Sequence, residues 1–90
     1  MGTTGSLYGN VIDQSGEILR GATLMLTGGQ GPPEIQVSDA QGSFKFLSLT
    51  PGSYSVEAQL EGFQTTTEPN IPIEAGQIKN IDLTLYPDLG

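Results

Sequence analysis

Residues 42–62, GSFKFLSLTPGSYSVEAQLEG, constrain the fold of this chain more than any other stretch. Phe44 and Phe46 fall on one face of a period-two run. Beyond the Pro51-Gly52 corner, Tyr54, Val56, Ala58 and Leu60 do the same, with Ser55, Glu57 and Gln59 between them. Alternation every second residue belongs to a half-buried β-strand, because successive Cβ atoms point to opposite faces of a sheet. Pro51 presets φ for the turn, and Gly52 is expected to take its strained position. Two strands cannot bury an apolar face alone, so the rest of the chain must supply partners.

It supplies them in the same idiom. Residues 6–12 place Leu7, Gly9 and Val11 on one face and Tyr8, Asn10 and Ile12 on the other; Gly9 signals a close backbone approach or a bulge. Residues 22–27 alternate with Ala22, Leu24 and Leu26 inward, residues 34–37 form a short strand, and Ile81, Leu83 and Leu85 face inward near the end. Residues 64–68 are Thr-rich and β-prone. Pro69 and Pro72 confine Ile71 and Ile73 to an edge strand or a loop, since proline cannot donate to a ladder. Turn chemistry punctuates the runs at 13–16, 38–42, 61–62 and 75–77. The 28–33 stretch, GGQGPP, is the loosest segment. No stretch carries the i, i+3, i+4 pattern of a helix.

Seven short strands in 90 residues predict an all-β, seven-stranded antiparallel Greek-key sandwich. It is expected to be one domain over residues 6–86, with 1–5 a leader and 87–90 a tail. The predicted core is Leu7, Val11, Leu24, Leu26, Phe44, Phe46, Tyr54, Val56, Leu60, Ile81, Leu83 and Leu85.

Composition removes whole classes of function. Arg20, Lys45 and Lys79 are the only cations against ten acids, a net charge of −7. Nucleic-acid binding needs clustered basic charge, so it is excluded, and an anionic membrane surface is disfavoured. No run of about 18 apolar residues exists, so no helix inserts into a bilayer. The chain has no His and no Cys, which removes the Ser-His-Asp triad, the Cys nucleophile and the ordinary zinc site. Residues 1–5 lack the basic and apolar regions of a signal peptide; the chain reads as an excerpt from a longer protein that carries the targeting information.

Several elements together spell a known pattern: Gly9-x-Val11, Asp13, Gly16, Gly21-Ala22-Thr23, Asp39-x-x-Gly42-x-Phe44-x-Phe46, Leu49-x-Pro51-Gly52-x-Tyr54 and Gly62-Phe63. In this order and spacing, from about Leu7 to Leu85, they resemble the carboxypeptidase regulatory-like domain. The resemblance implies a transthyretin-like (prealbumin-like) sandwich within the carbohydrate-binding-like fold group. It also implies an accessory role, as in bacterial surface proteins and the amino-terminal extension of TonB-dependent outer-membrane receptors. The signature residues build turns and core in that family; none is catalytic.

The remaining candidates are weighed on their chemistry. Asp13, Glu17 and Asp39 sit in turns where a hard cation could bind, but Asp-x-x-Gly is already explained by turn formation. Glu57 and Asp82 would have to face each other across a cleft to hydrolyse a glycoside. Ser43 and Lys45 read as a solvated face. A Lys–Asn isopeptide bond, as in related adhesin repeats, lacks its Lys on the first strand, although Asn80 lies near the last. The expectation is therefore no enzyme, no cofactor and no metal. The chain should be a spacer or docking domain, monomeric in isolation and extracytoplasmic as part of its parent. Its partners would be neighbouring domains of that parent, another protein, or a glycan if it is a carbohydrate-binding module. The candidate interaction surface comprises Ile71 and Ile73, the loop residues Gly28, Gly29, Gln30 and Gly31, and the tyrosines Tyr8 and Tyr86.

Overall fold

The alternating runs become strands at nearly the positions their periodicity dictates. The computed structural model describes residues 4–29 and 31–89. In chain order the strands are β1 (Gly5–Asp13), β2 (Thr23–Gly28), β3 (Glu34–Val37), β4 (Ser43–Leu49), β5 (Gly52–Gln59), β6 (Thr66–Ile73) and β7 (Ile78–Leu85). They form a three-stranded sheet, β4-β1-β7, and a four-stranded sheet, β3-β2-β5-β6. The described residues contain no helix.

The inward faces of the two sheets make one core. Leu7, Val11, Phe44, Phe46, Leu83 and Leu85 come from the first sheet; Leu24, Leu26, Tyr54, Val56 and Ala58 come from the second. Phe44 and Phe46, two residues apart on one face, meet edge-to-face with ring centroids 6.0 Å apart, an arrangement favoured by the aromatic quadrupole. Leu60 and Ile81, expected inside, are half-buried and pack against the core from its rim. Leu49, Ile71 and Ile73 join it instead.

Pairing departs from the wholly antiparallel expectation at one place. β1 pairs antiparallel with β4 but parallel with β7, in an unbroken register from Ser6↔Ile78 to Asp13↔Leu85. Parallel neighbours need a long connection. Here nearly the entire chain lies between the first strand and the last, so that requirement is met without a dedicated crossover.

Two of the outer strands are kinked. From Phe46 to Leu49, β4 advances three residues while β1 advances two, and Ser48 sits in the left-handed region at φ 58°. β6 bulges in the same way opposite Tyr54 and Val56, with Asn70 at φ 58°. Bulges twist an open edge and discourage further strand addition. Pro69 and Pro72 add to that effect on β6, which is an edge strand.

The two Asp-x-x-Gly segments fold into matching loops. The Asp13 carboxylate accepts from the Ser15 N–H at 2.8 Å, the Ser15 hydroxyl at 2.7 Å and the Glu17 N–H at 3.0 Å. The Asp39 carboxylate accepts from the Gln41 and Ser43 N–H groups, both at 2.9 Å. In each loop the glycine three residues on donates its N–H to the aspartate carbonyl. Their neighbour Ser38 is a buried polar residue whose hydroxyl accepts from the Ala22 N–H at 2.9 Å and donates to the Leu19 carbonyl at 2.8 Å.

Candidate functional site

Strand directions place every loop at one of two ends. β1 starts, and β2 and β4 finish, at the end that carries residue 5; there the 28–33 loop, the 50–51 corner and the 74–77 turn gather. The opposite end holds both Asp loops, the 60–65 connection and the exit from β7.

At the first end the backbone of Gly28 and Gly29 lies directly on Tyr54. A Cβ on Gly28 would stand 2.5 Å from the Ser53 carbonyl oxygen, and one on Gly29 would stand 2.7 Å from the Tyr54 hydroxyl. Their φ values of 117° and 66° lie in the region that favours glycine. These two glycines are therefore packing residues and not simply a loose tether. The Tyr54 hydroxyl in turn donates to the Thr50 carbonyl at 2.5 Å and lies 3.1 Å from the Thr50 hydroxyl. The result is a shallow concavity of about 230 Å³ between the 28–33 loop and the β4–β5 corner, with Glu34, Ser48 and Thr50 supplying its polar groups. Its apolar floor includes Leu49 and Tyr54.

A second feature lies on the outer face of the three-stranded sheet. Tyr8 stands between its cross-strand partners Lys45 and Asn80. In the next row the Ser43 hydroxyl donates to Asn10 Oδ1 at 2.8 Å, and the Asn10 amide reaches Asp82 at 3.5 Å. A groove of about 370 Å³ runs from this face toward β3, between Tyr8, Lys45, Gln36 and Val37.

The residues singled out from the sequence do not converge. Ile71 and Ile73 are 3% and 2% exposed and point into the core, so the edge strand that carries them offers backbone but not those side chains. The prolines restrict hydrogen bonding along the edge; they do not determine which way alternate side chains point. Gly28, Gly29 and Gly31 lie at the end described above, while Gln30 lies outside the described residues. Tyr8 is on the outer face at 36% exposure, and Tyr86, at 49%, is at the far end. Gly52 takes the strained position expected of it: at φ 158° a side chain would be strained although the space around a Cβ is open. Ser48, at φ 58°, is a second positive-φ residue beside this corner.

The other pairings also resolve. Glu57 lies on the outer face of one sheet and Asp82 on that of the other, so no cleft separates them. The Glu57 carboxylate accepts from the Gln59 amide at 2.6 Å. No group of three metal-ligating side chains gathers among the described residues. Bonds from the Ser15 hydroxyl and then the Glu17 N–H hold the Asp13 carboxyl below its ordinary value. Sequence reasoning missed Glu34, Ser48 and Thr50, and also Ile35 and Val37, which are 60% and 58% exposed on β3. The available signal was Pro32-Pro33 before a four-residue strand, which marks a short edge with both faces open.

A search of curated proteins returns no match. Among solved structures, the Bacillus anthracis TIE protein aligns over 94% of this chain and 17% of its own, at 19% identity and a TM-score of 0.81. The minor pilin of the Gram-positive pathogen Streptococcus agalactiae aligns over 98% of this chain and 46% of its own, at 17% identity and a TM-score of 0.76. The same sandwich recurs in 3-chlorocatechol 1,2-dioxygenase from Rhodococcus opacus 1CP, over 98% of this chain and 62% of that one, at 12% identity and a TM-score of 0.73. This chain thus spans less than two thirds of each of these proteins, and the likeness is one of fold, which hosts unrelated functions. The family model for the carboxypeptidase regulatory-like domain matches residues 6–86, the span that holds all the turn and core residues described above. The chain belongs to the carboxypeptidase regulatory-like domain family.

Proposed function

We propose that this chain is a non-catalytic accessory domain that spaces or docks the units of a larger bacterial protein. The observation that carries this reading is where its reactive side chains are committed. Asp13, Asp39, Ser38, Ser43 and the Tyr54 hydroxyl are all engaged in hydrogen bonds that close turns or join strands. Tyr54 lines the concavity at one end, and Asp39 and Ser43 line the groove beside β3. Their polar atoms are taken up by these structural bonds and not paired as a nucleophile with a general base. The parent we favour is extracytoplasmic, at a cell surface or outer membrane, with a TonB-dependent receptor as one setting. The net charge of −7 favours a monomer in isolation.

The docking surface we favour is the end that carries the 28–33 loop, with Glu34, Ser48 and Thr50 beside it. Titrating the isotope-labelled chain with the adjoining domain of its parent should shift the amide signals of Gly28, Gly29, Gly31 and Ser48. If those signals stay fixed while another surface responds, the placement is wrong; if nothing responds, docking gives way to spacing alone.

One observation favours a second reading, glycan binding. Tyr8 presents an aromatic face between Lys45 and Asn80, beside the hydrogen-bonded row Ser43–Asn10–Asp82. A glycan array separates the readings. A hit abolished by Tyr8→Ala supports the glycan module, and a blank array removes it.

A further inference from the structure

The strands where the described fold begins and ends are hydrogen-bonded to each other and run parallel. The register is continuous through Ser6↔Ile78, Gly9↔Ile81 and Asp13↔Leu85. A ladder of eight residues on each strand spans roughly 23 Å at about 3.3 Å per residue. Because the pair is parallel, the chain enters β1 at one end of this ladder and leaves β7 at the other.

That geometry decides how a pulling force is carried. Tension applied before β1 and after β7 drives the two strands past each other along their length, so the evenly spaced bonds of the parallel ladder are all loaded together. Tension applied to one end of both strands would open the same bonds one at a time. The ladder is also extended and anchored. At the entry, the Ser6 N–H donates to Gln77 at 2.9 Å and the Gly76 N–H donates to Thr4 at 2.8 Å. Beyond the exit, the Gln64 N–H donates to the Tyr86 carbonyl at 2.8 Å and the Asp88 N–H to the Gly62 carbonyl at 3.0 Å, tying the segment after β7 to the connection between β5 and β6. Sliding either strand would also drag buried side chains out of the core: Leu7 and Val11 from β1, Leu83 and Leu85 from β7. β1 is held on its second side by β4.

We infer that the domain is a load-bearing link, whose mechanical resistance resides in the parallel β1–β7 ladder. The inference rests on the spacer reading above and sharpens it: the spacer holds its length under tension along the chain.

Force spectroscopy on the whole chain tests it. The native chain has no cysteine, so paired substitutions give defined attachment points at exposed positions. Thr4→Cys with Leu89→Cys loads the ladder lengthwise; Thr4→Cys with Ala75→Cys opens it from one end. All three residues are exposed, and circular dichroism with thermal melts checks that both variants fold alike. At one pulling speed the lengthwise pair should unfold at a force at least about twice that of the end-opening pair, since forced unfolding follows the barrier along the loaded direction. A smaller ratio overturns the inference. The spacer reading fails on a different result: replacing the domain in its parent by a flexible linker of equal reach, with no loss of the parent's function.

Discussion

Replacing Gly9 by alanine is the most economical probe of how this sandwich is held together. Gly9 lies at the middle of β1, directly across from Phe44 on β4 and Ile81 on β7. A Cβ there would strike the Phe44 ring and stand 2.5 Å from the Ile81 carbonyl oxygen. The ring is buried and already in edge contact with Phe46, and the carbonyl belongs to the backbone of the β1–β7 pair, so neither obstacle moves freely. Overpacking of this kind costs about 1–3 kcal/mol. Alanine recovers about 0.5–1 kcal/mol because its unfolded chain is less free than that of glycine. With both sides blocked the upper part of the cost applies, and the net loss is about 2 kcal/mol. For a chain of this size that lowers Tm by roughly 8–16 °C. Urea unfolding should show a lower midpoint at unchanged slope. Gly9→Ala should also cost less when Phe44 is already leucine, because the two positions are in contact. A Gly9→Ala protein within about 0.5 kcal/mol of the parent, the range of ordinary surface changes, would refute the packing account.

Ser38→Ala leaves the buried Ala22 N–H without its side-chain acceptor and should cost about 1–3 kcal/mol in denaturant unfolding; an unchanged midpoint would contradict the bridging role. Ser48→Val forces a β-branched residue into the left-handed region and should cost about 1–2 kcal/mol although the site is exposed, whereas Ser48→Gly should cost nothing measurable. The Asp13 carboxyl has a folded pKa below its ordinary 3.8, so its contribution is complete above that value and is lost as pH falls through the lower folded value. Asp13→Asn should accordingly show a smaller drop in Tm between neutral and acid solution than the parent; an equal drop would place the acid sensitivity elsewhere.

The local content of the sequence went far. Alternation assigned Leu7, Val11, Leu24, Leu26, Tyr54 and Val56 to the core. Asp-x-x-Gly identified the turns at 13–16 and 39–42, and proline marked β6 as an edge. What alternation cannot encode is which strand lies beside which. It therefore missed that β1 and β7 run parallel, and that fact converts two ordinary strands into a lengthwise clamp. Nor could it show that Ile71 and Ile73, flanked by prolines, turn inward.

The candidate surface was legible only in pieces, because exposure and flexibility are local while proximity is not. By itself the sequence determined the fold class, the strand positions, the inward faces of most strands and the family, since all of these follow from period, turn chemistry and ordered spacing. The tertiary structure alone decided that Gly28 and Gly29 seat against Tyr54, that Tyr8 and Tyr86 belong to different surfaces, and that Ser48 joins Gly52 in carrying positive-φ backbone near the Pro51-Gly52 corner. Each depends on contacts between residues far apart in the chain, and those exist only once the two sheets have closed on each other.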